Sequence, residues 1–185
     1  VLCADTWHIN VHETGAIEAT GHKVLALPGH EGKLTAAQVR AAWESHCADG
    51  THEHMVRPAM VYISHPTELG TLYTREELSA LREATLACGM TLYLDGARLS
   101  YGLAADPQVD LPFLAAHCDA FTLGGTKCGA LFGEALVLPV PERWPLFRYH
   151  IKQRGALLAK GRLLGVQFAT LMKDGLYVSL ARRAN

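Results

Sequence analysis

Two polar residues stand out for their setting. Lys127 closes the run Leu123-Gly124-Gly125-Thr126-Lys127, and Asp95 opens Asp95-Gly96-Ala97-Arg98. A lysine on a rigid turn, with its pKa lowered by its surroundings, can form a Schiff base with an aldehyde. The same lysine could be a solvated loop residue. It is a poor fit to a phosphate loop, because Gly124-Gly125-Thr126-Lys127 is not G-x-x-x-x-G-K-[ST]. Asp95 could cap a turn, or it could pair with the protonated nitrogen of a heterocyclic cofactor and keep that ring an electron sink. Arg98 could hold a carboxylate or only a surface ion pair. His65, before Pro66, is either a proton acceptor or a turn residue, and His8 ends the opening apolar run. His8 and His12 also have the i, i+4 spacing of helical metal ligands, but no nearby Cys or carboxylate completes such a set. Cys128 reads as a packing residue, and His52-Glu53-His54 as an exposed loop.

These residues need strand ends to converge. Short apolar runs at 22–27, 59–63, 91–94, 120–123 and 135–140 read as strands. Several are apolar throughout, as in strands covered on both faces of a parallel or mixed sheet. Between them lie helical patterns. Thr74 and Glu77 form a capping box, with Tyr73 and Leu78 as its hydrophobic staple, for a helix over 75–88 that Gly89 ends. Thr35 and Gln38 start a second helix, whose inner face continues through Ala42, Trp43 and His46. A third spans 154–172. Strand–helix alternation predicts an α/β fold, in which ligands bind beyond the carboxyl ends of the strands. Asp95, Lys127, His65 and His8 all fall at such ends.

The chain has 185 residues, 49% hydrophobic and 19% charged, with a formal net charge of −1. That composition suits one globular core. The neutral balance argues against nucleic acid or an anionic membrane as partner. No apolar run approaches the roughly 20 residues needed to span a bilayer. Five scattered cysteines without a C-x-x-C pair read as reduced thiols, which predicts a cytoplasmic protein. The chain opens on Val1 within an apolar run and closes after a helical pattern, so a fragment of a longer protein is expected.

With these residues in view, the chain resembles the threonine aldolase and β-eliminating lyase family of fold-type I pyridoxal 5′-phosphate enzymes. The resemblance covers nearly the whole chain. It rests on Asp5-Thr6-Trp7-His8 with Glu13-x-Gly15-Ala16, on Gly70-x-x-x-Thr74-x-x-Glu77-Leu78, on Leu94-Asp95-Gly96-Ala97-Arg98, and on Thr126-Lys127. It implies a three-layer α/β large domain with a mostly parallel mixed sheet, incomplete at both ends. It implies pyridoxal 5′-phosphate as cofactor, bound by Lys127 as a Schiff base, by Asp95 at the pyridine nitrogen, by His8 stacked on the ring, and by Thr126. Arg98 would bind the substrate carboxylate, and His65 would lie near the substrate hydroxyl as a catalytic base. No metal is implied.

Two stretches depart from the family pattern: Tyr62-Ile63 replaces the usual Glu-Asn before the strand-end histidine, and the lysine turn is longer than usual. The expected activity is cleavage of threonine, or a related β-hydroxy-α-amino acid, to glycine and an aldehyde. β-Elimination, transamination and an inactive fragment are the alternatives. Residues 1–185 would be part of the large domain, with the N-terminal phosphate loop and C-terminal small domain outside it. A homodimer or homotetramer acting on a small amino acid is expected.

Overall fold

The computed structural model describes residues 1–184. Six strands form one sheet: β1 (Leu2–Ala4), β2 (Leu25–Leu27), β3 (Met60–Ser64), β4 (Thr91–Asp95), β5 (Ala120–Gly124) and β6 (Glu134–Val137). Their order is β2-β1-β3-β4-β5-β6. Every neighbouring pair is parallel except β5 and β6, which are antiparallel. This is the mostly parallel mixed α/β sheet expected from the sequence. Parallel neighbours need long crossovers, which the helices supply.

The helices are α1 (His8–Val11), α2 (Ala36–Ala48), α3 (Arg75–Ala87), α4 (Leu99–Ala105), α5 (Leu111–His117), α6 (Phe147–Gln153), α7 (Arg162–Leu171) and α8 (Leu176–Arg182). Both capping boxes form: Thr35 with Gln38 starts α2, and Thr74 with Glu77 starts α3. Glu77 also pairs with Lys33 at 2.7 Å, tying the start of α3 to the loop before α2. Leu78, Leu81, Ala84 and Thr85 make the buried stripe of α3, and Gly89 follows it with φ +63°.

Three expectations need correction. The strand anticipated over 135–140 ends at Val137, two residues before Pro139, which has no N–H for a ladder. The helix anticipated over 154–172 is broken: α6 stops at Gln153, Gly155 takes φ +75°, and α7 begins only at Arg162. The strand anticipated over 22–27 contracts to Leu25–Leu27, a half-exposed edge.

The core lies between sheet and helices. Val61, Ile63, Leu92 and Leu94 are fully enclosed, with Leu78, Leu81, Leu99 and Leu114 packed over them. Each such side chain contributes about 1.5–3 kcal/mol relative to exposure. β5 is buried along its whole length. β3 and β4 differ: Tyr62 and Tyr93, in register on one face, stay half-buried with rings 5.0 Å apart. That face carries the site.

Candidate active site

Strand register decides which residues meet. Ser64 pairs with Asp95 and Tyr62 with Tyr93, so Tyr62, Ser64, Tyr93 and Asp95 share one face at the carboxyl edge. Tyr62 is the diagonal neighbour of Asp95, within reach of an aromatic side chain. Its hydroxyl donates to Asp95 Oδ2, and the Ala97 N–H donates to Asp95 Oδ1 at 2.8 Å. The carboxylate is thus held at both oxygens. Burial first, and the Asp95 charge second, push the Tyr62 phenol far above its ordinary range, so it remains a donor.

The turns bearing Asp95 and Lys127 are fastened to each other. Gly96 N–H donates to Thr122 Oγ1 at 2.9 Å, and Gly124 N–H donates to Gly96 O at 2.8 Å. A Cβ on Gly96 would lie 1.9 Å from Thr122 O, and one on Gly124 would lie 2.3 Å from Ala97 O. Glycine at both places is a requirement of this approach. Tyr177 on α8 closes the support, its hydroxyl donating to Gly124 O at 3.0 Å.

The result is a cleft of about 290 Å³ lined by His8, Tyr62, Glu68, Asp95, Arg98 and Lys127, with Glu13, Ser64, Pro66, Ala97 and Glu134 completing the wall. Neither Lys127 Nζ nor the Arg98 guanidinium has a hydrogen bond or ion pair among the described residues. Both cations are open to a ligand. His8 Nδ1 lies 3.1 Å from Glu13 Oε1, and its ring lies 4.8 Å from that of His12. Burial, reinforced by Asp95 and opposed by Lys127, holds the Glu134 carboxyl above its ordinary value. Thr126 is exposed and lines an adjoining cleft with Gly124, Gly125 and Lys127. Cys128 is buried, with Sγ 3.8 Å from Ala97 O.

His65 is not in this cleft. It is 0% exposed, its Nδ1 accepts from Tyr73 N–H at 3.3 Å, and its Nε2 has no partner among the described residues. Burial lowers its pKa to about 4. The strand end does deliver a polar residue to the cleft, but that residue is Glu68. Glu68 was not singled out from the sequence, and Tyr62 only as a departure from the family pattern, since their roles depend on register and on the path of the loop beyond β3.

The β-eliminating lyase family profile matches residues 1–171. The chain belongs to the β-eliminating lyase family. Low-specificity L-threonine aldolases of a Pseudomonas species and of Pseudomonas aeruginosa are 33% and 32% identical to it, each alignment covering 100% of this chain and 53% of the relative. A solved structure of threonine aldolase from Leishmania major is 46% identical, with a TM-score of 0.91 over 99% of this chain and 53% of that one. The chain therefore spans about half the length of these relatives. The cofactor of the β-eliminating lyase family is pyridoxal 5′-phosphate. The cleft lining suits its ring and aldehyde ends, since it includes an anchored carboxylate, a lysine without a hydrogen bond or ion pair among the described residues, and an imidazole.

Proposed function

We propose that the full-length protein is a pyridoxal 5′-phosphate-dependent aldolase that cleaves β-hydroxy-α-amino acids, threonine first among them, to glycine and an aldehyde. The observation that carries this reading is the pair of mutually fastened turns that aim Asp95 and Lys127 into one cleft with Arg98. When bound, the cofactor supplies a protonated conjugated ring able to accept an electron pair released at the substrate Cα.

The chain's residues orient that chemistry. Asp95, fixed by Ala97 N–H and Tyr62, would accept the pyridine N–H and keep its proton in place. Lys127 would hold the aldehyde end, and His8 would pack against the ring. Arg98, unpaired and on the cleft wall, receives the substrate carboxylate as a two-pronged charge-assisted contact. Thr126 belongs to the cofactor side through the adjoining cleft. The phosphate loop and the small domain lie outside residues 1–185, and the complete protein works in the cytoplasm as a homodimer or homotetramer.

The test is product analysis. The full-length protein loaded with cofactor should release glycine and acetaldehyde from L-threonine in equal amounts. Formation of 2-oxobutyrate and ammonia instead would establish β-elimination and overturn the aldolase reading.

A further inference from the structure

Cleavage of a β-hydroxy amino acid needs a group that takes the hydroxyl proton. His65 is sealed behind the cleft wall. Glu68 is half-buried and lines the cleft, with one carboxylate oxygen held by the protein and the other left without a partner among the described residues. Its Oε1 accepts from Ser64 Oγ at 2.8 Å and lies 3.5 Å from His8 N. Its Oε2 is buried and has no hydrogen-bond partner among the described residues. A buried carboxylate oxygen left unpaired costs free energy, so an unpaired one on a cleft wall marks a place where a donor arrives with the ligand.

The position agrees. Ser64, which holds Glu68, is the register partner of Asp95. Glu68 and Arg98 also border a second cleft of about 410 Å³, whose further walls include Leu72, Tyr101 and Ala105. A substrate with its carboxylate on Arg98 can lay its Cβ hydroxyl on Glu68 and its Cβ substituent towards this mainly apolar annex.

We propose that Glu68 is the catalytic base for the β-hydroxyl, an assignment that rests on the aldolase reading above. In the forward step the substrate O–H bond breaks and its proton passes to Glu68 Oε2. The O–H electron pair becomes the second bond of the aldehyde carbonyl as Cα–Cβ breaks. The Cα–Cβ pair ends as the new Cα–H bond of glycine when a proton returns, and the cofactor, when bound, would supply the conjugation that holds it in between.

The experiment compares wild-type and Glu68→Gln full-length holoenzyme. The amide keeps the acceptor for Ser64 and removes the base. Aldehyde release from L-threonine should fall about 100-fold or more. Exchange of the glycine α-proton with D2O, which involves no β-hydroxyl, should stay within about threefold of wild type. The Tm of the cofactor-free protein should change little, because the amide oxygen keeps the contact with Ser64. Retained threonine cleavage in the variant overturns the assignment, and so does an equal loss in both reactions or a lowered Tm. A wild-type protein that exchanges glycine yet cleaves no β-hydroxy amino acid overturns the aldolase reading, and the Glu68 assignment with it.

Discussion

A buried histidine three residues before the proposed base has a different task. The Tyr73 N–H fixes His65 Nδ1 as an acceptor, so the neutral ring carries its proton on Nε2, beside Gly102. Burial dominates its pKa. Asp106 and Glu77 act to raise it, Lys33 acts to lower it, and the outcome is about 4 against 6.5 unfolded. Between those values the unfolded chain binds a proton that the folded chain refuses. Stability is therefore lost as pH falls through this window, and His65 contributes no pH dependence above it. The slope approaches ~1.4 kcal/mol per pH unit for one such group. We expect the stability advantage of wild type over His65→Gln, measured by urea denaturation, to shrink by about 2 kcal/mol between pH 7 and pH 5. A pH-independent difference would show that the His65 ring is solvated in the folded protein.

At the scale of elements, the site depends on how two strand ends are joined. Gly96 cannot accept a side chain without driving it into Thr122 O, a backbone atom that no rotamer change moves. Gly96→Ala should destabilise the protein by about 3 kcal/mol or more, at the upper end for overpacking. It should weaken cofactor binding as well, because the carboxylate and lysine turns part. Gly21→Ala, where φ is +83° but the space is open, is the control and should cost about 1 kcal/mol. Equal midpoints for the two variants in urea would show that the Gly96 approach can relax. Much of this arrangement was legible in the sequence. Capping boxes are local signals, so the starts of α2 and α3 could be read directly. The strand ends at Asp95 and Lys127 followed from apolar runs meeting glycines. The break at Gly155 was hidden in a Leu- and Ala-rich stretch, where composition favours helix on both sides of the turn. Tyr62 and Glu68 were illegible for another reason. One depends on which residue of β4 faces Ser64, the other on the course of a loop, and neither is a local property.

At the scale of the whole molecule, charge in the cleft says what the chain leaves to be supplied. Its lining contains four carboxylates, Glu13, Glu68, Asp95 and Glu134, against two permanent cations, Arg98 and Lys127. In the proposed function both cations are committed, Arg98 to the substrate carboxylate and Lys127 to the cofactor aldehyde. A phosphate dianion needs backbone N–H groups at a helix N-terminus, or further cations. Placed among these carboxylates without them, it is repelled. The C-terminal third adds a second deficit, since Leu131, Phe132, Leu158, Leu163 and Val166 are all solvent-exposed. Residues 1–185 expressed alone should therefore bind pyridoxal 5′-phosphate weakly and self-associate. Without an anchor for the phosphate, Lys127 must capture a poorly positioned aldehyde, and the advantage of proximity is lost. The discriminating comparison is pyridoxal against pyridoxal 5′-phosphate, titrated by absorbance. The isolated residues 1–185 should bind the two about equally, whereas the full-length protein should strongly prefer the phosphorylated form. Tight stoichiometric binding of pyridoxal 5′-phosphate to residues 1–185, with light scattering that reports a monomer, would show that these residues hold the phosphate themselves.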